Sequence, residues 1–399
     1  MERKYIVTER TDLFEPNVYI SFVVEFEKKI EPQMLMDAVN QAFFANETTM
    51  SRIVLLKGGK AYYEKMKKSG CKVSCTAMNF EKLIEENEKK PFALKEGECM
   101  RVFVSETGKE MLLMAHHLVG DGMSLVLFLK DVLRALSKEK LVYKEADIFT
   151  KEKLQKYARL PLGVKAYITH LNRKWKKKEQ IYTWQDYDVV HETYWSRHKS
   201  KMIYHTFDEK ETKEIIEKAK TAKVTLNNYL ISMLLQKQQE LDIIGIPVTV
   251  REGNTMANQV SAIAIKYRYL KRKSIAKNAV RIQKRVQKLV KNPNKKYFVL
   301  LFLAELKDTL MDAAVLAAHG KEKGMIARKL SLVMGYLGKK KRDLGVTNLG
   351  VLDFSEIGGD YGIQNLIFLP PAVSYTKHVV GVSTVNGCLT LSYHGMEEK

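Results

Sequence analysis

The sequence predicts an α/β protein of mixed α+β type that is built from two similar halves. Short apolar runs of strand length alternate with segments of helical periodicity, and the order strand, helix, strand occurs in both halves. A basic and polar segment near the middle separates them. The chain has 399 residues and a hydrophobic content of 45%, which is ample for a sizeable core and suggests about two to three domains.

The first half opens with a strand and a helix. Residues 17–26 alternate in character and are rich in β-branched side chains, which predicts a strand. The segment 32–44 predicts a helix, because five apolar side chains fall on one face, namely Leu35, Ala38, Val39, Ala42 and Phe43. Further strands are predicted at 51–56 and 100–104, with a helix at 81–89 between them.

Two adjacent histidines lie at the junction of a predicted strand and a predicted helix. Residues 110–115 form a short apolar run, and residues 123–136 place their apolar side chains at helical spacing. His116 and His117 therefore end the strand.

The residue types of the turn that follows are those of a candidate catalytic site. Gly120 and Gly122 permit a tight turn, and Asp121 or Ser124 can accept hydrogen bonds from the free amides that begin the helix. An imidazole on such a rigid turn can act as a general base near neutral pH, because its unperturbed pKa is about 6.5. A structural role is equally open, since one of two adjacent histidines should point into the interior and Asp121 can be a simple helix cap. Capping, however, requires neither histidine.

The middle of the chain predicts the domain boundary. Residues 151–179 are basic and predicted to be helical, and residues 180–200 are polar. We therefore divide the chain into an N-terminal subdomain, 1–180, which carries the histidine motif, and a C-terminal subdomain, 181–399. The basic helix either contacts a membrane or an acidic partner, or is a solvated linker.

The second half restarts the same alternation. Strands are predicted at 202–207, 246–250 and 260–267. Asp208 and Glu211 form a capping-box pattern, and another helix begins near Thr225. Two more helices are predicted at 274–290 and around 297–318. Asn386 and Gly387 predict a hairpin turn between strands at 379–385 and 388–393.

The composition narrows the function classes. A formal charge of +21 favours anionic partners, which include nucleic acid, anionic membranes, acidic substrates and acidic proteins. The basic runs at 173–178, 271–291 and 339–342 are typical of solvated faces, and no nucleic-acid-binding signature accompanies them. No apolar run reaches the roughly 18 residues of a membrane span, and the first residues lack the apolar segment of a signal peptide. We expect a cytoplasmic protein that binds no nucleic acid.

The cysteines predict a reduced protein without a metal. Cys71, Cys75, Cys99 and Cys388 are too few for a disulfide framework in a chain of this length. Their spacing matches no zinc-binding pair of the Cys-x-x-Cys type.

The segment His116-His117-Leu118-Val119-Gly120-Asp121-Gly122 resembles a family motif, His-His-x-x-x-Asp-Gly, without a departure. In this respect the chain is similar to the superfamily of chloramphenicol acetyltransferase, the condensation domains of peptide synthetases and the stand-alone acyltransferases related to alcohol acetyltransferases. Weaker matches extend the resemblance over nearly the whole chain, at Asn17, 91–94, 100–102, 347–350 and the final hairpin. Arg251 with 257–259 also matches, although Ala257 stands where the family usually has glycine.

The resemblance implies two chloramphenicol-acetyltransferase-like subdomains with an active-site tunnel between them. It implies that His117 takes a proton from an acceptor hydroxyl or amine and later returns one to the leaving thiol, with His116 in support. Asp121 would anchor the turn through an arginine, for which we predict Arg52, and would not touch substrate.

Three further residues receive expected roles from the same resemblance. Gly122 would allow a close backbone approach to the tunnel. Thr347 or Asn348 would donate a hydrogen bond to the developing oxyanion. A strand threonine and a turn asparagine are the structural alternatives for these two positions.

Two departures bear on the type of activity. Asp353 and Phe354 are followed by Ser355 and Glu356, so the Asp-Phe-Gly-Trp-Gly signature of plant acyltransferases is absent. Residues 45–47 match poorly the arginine-histidine segment that many condensation domains have near their start. These departures favour a free-standing acyltransferase.

The expected activity is transfer of an acyl group from a thioester to an alcohol or amine. Its co-substrate would be acyl-coenzyme A or a phosphopantetheine thioester, with no permanently bound cofactor, and its partners would include an acidic acyl carrier protein if the donor is carrier-bound. The alternatives are a stand-alone condensation protein that uses only carrier-bound thioesters, and a non-catalytic protein of the same fold that binds an acyl group or a carrier.

Overall fold

The computed structural model describes residues 2–338 and 341–399. Lys339 and Lys340 of the third basic run lie outside the described residues. The strands are, in chain order, β1 Arg3–Tyr5, β2 Tyr19–Phe26, β3 Ser51–Leu55, β4 Ala61–Lys65, β5 Lys72–Thr76, β6 Met100–Ser105, β7 Glu110–His116, β8 His198–Phe207, β9 Ile243–Thr249, β10 Val260–Lys266, β11 Arg342–Leu352, β12 Ile363–Leu369, β13 Thr376–Val385 and β14 Cys388–Glu398. The helices are α1 Pro32–Ala45, α2 Phe80–Glu88, α3 Gly122–Leu136, α4 Lys151–Tyr157, α5 Leu162–Lys176, α6 Trp184–Arg197, α7 Glu209–Thr221, α8 Leu226–Lys237, α9 Ile275–Val290, α10 Pro293–Lys296, α11 Phe298–Glu305, α12 Asp308–Ala318 and α13 Met325–Met334.

The strands form three sheets. A six-stranded sheet in the order β10-β9-β11-β13-β14-β8 belongs to the second half, and a small sheet in the order β1-β4-β3 belongs to the first. The five-stranded sheet has the order β12-β2-β7-β6-β5 and contains strands of both halves. Its edge strand β12 pairs antiparallel with β2, with Leu366 opposite Val24. A strand of the second half therefore completes the sheet that carries the histidine motif.

The main hydrophobic core also spans both halves. Helix α3 packs on α1, where the rings of Phe43 and Phe128 are 5.3 Å apart. Leu310 on helix α12 belongs to the same buried cluster. The buried guanidinium of Arg10 donates from Nε to Asp312 on α12 at 2.7 Å. Apolar packing and this ion pair therefore fix the position of α12 against the first half.

Several local predictions are confirmed. The capping box of α7 is formed: the amide of Glu211 donates to the Asp208 carboxylate at 2.8 Å, and the amide of Asp208 donates to the Glu211 carboxylate at 3.0 Å. Asn386 and Gly387 have φ angles of 48° and 76° in the turn between β13 and β14. Positive φ at both positions is what a two-residue type I′ hairpin requires.

Other elements differ from the prediction. The segment 151–179 holds two helices, α4 and α5, because the ring of Pro161 cannot continue a helix. The segment 297–318 is likewise divided into α11 and α12. The polar segment 180–200 contains helix α6, and five strands lie outside the predicted set: β1, β4, β5, β11 and β12. In β11 the apolar pattern is interrupted by Gly345 and Gly350.

The basic helix α5 packs against the second half. Ile168, Leu171 and Trp175 are buried on one face, and Trp175 Nε1 donates to Thr309 Oγ1 at 2.9 Å. Its basic side chains lie on the exposed face. No helix in the described ranges combines the length and apolar character needed to cross a membrane.

Candidate active site

A cavity of about 630 Å³ lies between the two halves and contains the histidine motif. We call it the reaction cavity. The first half contributes His117 and Asp12, and the second half contributes Asn258 and Thr347. Many of the remaining lining side chains are apolar, among them Ile20, Ile246, Phe298, Val299, Leu303 and Phe368. The site therefore places an imidazole in a largely apolar chamber.

The histidines are held by a tight turn between β7 and α3. A 3-10 turn over His117–Val119 leads into Gly120, whose φ is 152°. A Cβ at Gly120 would lie 2.3 Å from Ser124 Oγ, so glycine is required here. Asp121 caps α3, since its carboxylate accepts from the Ser124 amide at 3.0 Å and Ser124 Oγ accepts from the Asp121 amide at 3.2 Å. These reciprocal bonds make the turn rigid.

His116 points into the interior. Its side chain is fully buried, its Nδ1 accepts from the Leu118 amide at 3.3 Å, and its ring lies edge-on to Phe92 with centroids 6.0 Å apart. Burial lowers the pKa of His116 to about 3, with nearby histidines adding a smaller effect in the same direction. The ring is therefore neutral near pH 7, and His116 is the interior member of the histidine pair that the sequence predicts.

His117 faces the reaction cavity. Its side chain is 21% exposed, and its Nδ1 lies 3.1 Å from Asn258 Nδ2 and 3.5 Å from Asp12 Oδ2. Within the described part of the chain, Nε2 has no hydrogen-bonding partner. Among the described residues, the protein therefore holds the ring by Nδ1 alone.

Asp12 is an acidic neighbour that sequence reasoning missed. It ends a 3-10 helix over Thr8–Asp12, and its side chain is 15% exposed. Burial raises the pKa of the Asp12 carboxyl to about 6, while His117 opposes and Glu15 reinforces this change. The carboxyl therefore carries its charge above about pH 6 and loses it below.

Replacing this carboxyl, Asp12→Asn, is expected to stabilise the fold at neutral and alkaline pH. An unfolded aspartate titrates near pH 3.9, so below about pH 4 the carboxyl is neutral in both states. As the pH rises through 6, the native chain must bury an ionised carboxylate, a cost that asparagine avoids. The melting temperature of the variant should therefore match that of the native chain at pH 4 and exceed it at about pH 8. Calorimetry at both pH values checks this, and a difference independent of pH would contradict it.

Asp121 anchors the histidine turn to the second half. Both of its oxygens accept from Arg251 Nη2 at 2.7 Å, and Oδ2 also accepts from the Gln259 amide at 2.9 Å. The two side chains are only 4% and 11% exposed. Protein donors therefore occupy both oxygens of this carboxylate.

The prediction that Arg52 is the partner of Asp121 is wrong. Arg52 lies on β3 directly opposite Glu64 on β4, and it donates to Glu64 Oε1 from Nε at 2.9 Å and from Nη2 at 2.6 Å. Opposed residues of neighbouring strands have side chains within contact distance, so a local partner satisfies this arginine. The sequence did contain a signal for the true partner of Asp121, because Arg251 lies in a segment that resembles the family.

The family glycine that Ala257 replaces is not needed for this turn. Ala257 does not have a positive φ, so an alanine fits without strain. Its carbonyl accepts from Ser124 Oγ at 2.9 Å and from Arg251 Nη2 at 2.8 Å. The backbone of Ala257 thus contributes to the anchor, and the next residue, Asn258, reaches His117.

The remaining predicted residues have different surroundings. Gly122 and Thr347 line the reaction cavity, and a Cβ at Gly122 would lie 2.8 Å from Leu349 Cδ2. Asn348 Oδ1 instead accepts from the Gly350 amide at 2.7 Å, which is a turn-forming contact. Of the two candidate oxyanion donors, Thr347 and not Asn348 is among the residues that line the reaction cavity.

No group of three or more His, Cys, Asp or Glu side chains is arranged to hold a metal ion in residues 2–338 and 341–399. The four cysteines are free thiols, and the Sγ atoms of Cys71 and Cys99 lie 3.4 Å apart.

No family model matches the chain. Over 117 residues the chain is 29% identical to the hybrid PKS-NRPS synthetase xenE of Xenoacremonium sinensis. The match spans 28% of this chain and 3% of that protein.

Among the solved structures that resemble nearly the whole chain are the following three. The first condensation domain of the calcium-dependent antibiotic synthetase, in complex with a substrate analogue, has a TM-score of 0.62 at 12% identity, with 99% of this chain and 91% of that chain covered. The TRI3 trichothecene 15-O-acetyltransferase from Fusarium sporotrichioides has a TM-score of 0.61 at 12% identity, with coverages of 98% and 90%. Polyketide synthase associated protein 5 from Mycobacterium tuberculosis has a TM-score of 0.60 at 12% identity, with coverages of 98% and 92%. The chain therefore has the mixed α/β fold of the condensation domains and of this acetyltransferase, as the resemblance of its histidine motif implied.

Proposed function

We propose that this protein is an acyltransferase that moves an acyl group from a thioester donor to an alcohol or amine. The observation that carries the proposal is the state of His117. Its ring is held through Nδ1 on a rigid turn, and its Nε2 has no described protein partner in a cavity of about 630 Å³. A positioned imidazole with one free nitrogen is the requirement for general acid–base catalysis.

The chemistry assigned to His117 is a proton transfer in two directions. Nε2 accepts the proton of the acceptor hydroxyl or amine as its oxygen or nitrogen attacks the thioester carbonyl. The resulting tetrahedral intermediate collapses with cleavage of the carbon–sulfur bond, and the imidazolium returns the proton to the leaving thiolate. The products are the ester or amide and a free thiol.

The neighbours of Nδ1 support the required tautomer. For Nε2 to act as a base, the proton of the neutral ring must be on Nδ1. The ionised carboxylate of Asp12, whose Oδ2 lies 3.5 Å from Nδ1, stabilises the tautomer with the proton there. An amide group can present either its nitrogen or its oxygen after a half-turn. With the oxygen toward Nδ1, Asn258 would accept the same proton, which would also give a partner to an Oδ1 that is buried without one among the described atoms.

Thr347 is the proposed donor to the developing oxyanion. It lines the same cavity as His117, and its hydroxyl can donate to a negative oxygen. The largely apolar lining would favour an apolar acyl chain or acceptor, because such groups gain free energy by leaving water.

A second candidate is a condensation protein that takes its donor only from a carrier protein. The resemblance to a condensation domain and to part of a PKS-NRPS synthetase supports this candidate. A charge of +21 would suit an acidic carrier as well as the phosphates of coenzyme A.

The test is a panel of acyl-coenzyme A donors of short to long chain length, supplied with pooled alcohols and amines. Release of free thiol that depends on the acceptors is the expected result, and reactions without acceptors measure simple hydrolysis. Silence with every coenzyme A donor, followed by transfer from loaded carrier proteins, would favour the second candidate. Saturable binding of acyl thioesters without any transfer would identify a non-catalytic binding protein and contradict both.

A further inference from the structure

Two neighbouring helices, α5 and α13, border the reaction cavity at the protein surface. Gly163 on α5 and Val333 on α13 line this cavity and are also exposed to solvent, so the cavity opens between them. The two helices are in contact, and Lys329 Nζ on α13 lies 5.8 Å from the centre of the Tyr167 ring on α5. Together, α5 and α13 therefore form a continuous surface around this opening.

Large apolar side chains of both helices project into solvent beside the opening. Leu162 and Met325 are 86% and 83% exposed, and Leu332 and Val333 are exposed as well. Met325, Leu332 and Val333 have the spacing of one helix face, whereas Leu330 on the other face of α13 is fully buried in the core. Single exposed apolar side chains are ordinary, but a group of them is typical of a surface that contacts a partner or a membrane.

Positive charge surrounds these apolar side chains. Lys165 on α5 and Arg328 and Lys329 on α13 are exposed and form no ion pair with other residues in the described ranges. Neither helix contains an acidic residue. Glu322 precedes α13, but its Oε2 accepts from Tyr182 Oη at 2.5 Å. We call the surface that combines these apolar and basic side chains the mouth face: Leu162, Lys165, Met325, Arg328, Lys329, Leu332 and Val333.

The chemistry of the mouth face favours an anionic lipid surface. A second copy of the chain would bring the same positive charges against each other, which is unfavourable. On a bilayer, exposed aliphatic side chains enter the acyl region, while lysine and arginine remain at the level of the anionic headgroups. The basic helix α9 lacks this combination, because none of its large apolar side chains is exposed. Charge alone therefore does not distinguish the mouth face, but charge together with apolar exposure does.

We propose that the mouth face docks on the surface of an anionic lipid bilayer. Leu162 and Met325 enter the acyl region, and Arg328 and Lys329 contact lipid phosphates. Resting on the proposed function, the acceptor is then an apolar alcohol or amine that is dissolved in the bilayer. It enters the largely apolar reaction cavity between Gly163 and Val333 without passing through bulk water.

The test is sedimentation of the full chain with lipid vesicles. The native chain is expected to bind vesicles of phosphatidylcholine and phosphatidylglycerol in equal amounts, and to bind phosphatidylcholine alone at least about tenfold more weakly. Arg328→Gln combined with Lys329→Gln should weaken binding to the mixed vesicles by about 10- to 30-fold, since each cation near an anionic surface contributes roughly fivefold. Leu162→Ser combined with Met325→Ser should weaken it by at least about tenfold, because two apolar side chains no longer leave water.

Matched controls remove the same groups elsewhere. Arg281→Gln with Lys284→Gln takes the same charge from the exposed side of α9, and Val142→Ser with Ile203→Ser removes two other exposed apolar side chains. Both control variants should bind the mixed vesicles as the native chain does. Losses in the controls equal to those in the mouth-face variants would mean that binding follows overall charge or apolar exposure, and would overturn the inference.

Vesicle binding requires no turnover, so it decides on docking even if the native chain transfers no acyl group. Failure to bind the mixed vesicles rejects the proposal. In that case, binding of a soluble acidic carrier protein that Arg328→Gln with Lys329→Gln abolishes would assign the mouth face to a protein partner.

In an active chain, the source of the acceptor is tested by kinetics. Leu162→Ser with Met325→Ser should raise the KM for a long-chain alcohol supplied in the mixed vesicles by at least about tenfold, while the KM for a short, water-soluble alcohol is unchanged. An equal rise for both alcohols would reject uptake from the bilayer.

Discussion

Replacing His117 by alanine is expected to reduce acyl transfer by roughly 10²- to 10⁴-fold. This is the contribution that a positioned general acid–base commonly makes, and no other imidazole of the motif can substitute, because His116 is fully buried and neutral. The measurement is the rate of thiol release from a saturating donor with the best acceptor.

A matched control comes from the exposed surface. His170→Ala on α5 removes a solvent-facing histidine and should leave both the rate and the melting temperature unchanged. Because His117 is held at its ring and its backbone belongs to the turn, the melting temperature of His117→Ala must also be compared with that of the native chain. A well-folded His117→Ala variant that retains the full rate would contradict the proposed role of this residue.

Loss of the guanidinium in Arg251→Met is expected to lower the free energy of unfolding by about 3–5 kcal/mol. The carboxylate of Asp121 is 4% exposed and would remain buried without its cationic partner. Since this pair joins the histidine turn to the second half, the rate of transfer should fall as well. Urea unfolding and thiol release report the two effects separately.

Arg52→Met provides the matched control. Arg52 is 43% exposed, and its partner Glu64 keeps a second arginine, Arg3. The free energy of unfolding of this variant should fall by about 1 kcal/mol or less, because the lost guanidinium is half exposed and Glu64 keeps Arg3 as a partner. The double variant Arg251→Met with Asp121→Asn removes the orphaned charge and should recover part of the stability. Equal losses in Arg52→Met and Arg251→Met would contradict the assigned partner of Asp121.

Strong local patterns predicted much of the fold. Helices α1, α3 and α9 were predicted within a few residues of their observed bounds, because each presents an apolar face with helical periodicity. The hairpin at Asn386 and Gly387 was equally clear, since few sequences adopt positive φ at two successive positions. Helix α6 was missed because 180–200 was interpreted as a polar segment, although its buried side chains Tyr187, His191 and Trp195 recur every four residues, as on one face of a helix.

The sequence alone determined the local geometry of the candidate site: a strand that ends in two histidines, a glycine turn and a capped helix. These features depend on contacts between residues close in the chain, which composition and periodicity encode. Tertiary structure decided which histidine faces the cavity, that Arg251 and not Arg52 holds Asp121, and that Asp12 and Asn258 lie beside Nδ1 of His117. It also brought β12 to the sheet of the first half. These contacts join residues more than 100 positions apart, and their partners are selected by the packing of the two halves, which no local pattern specifies.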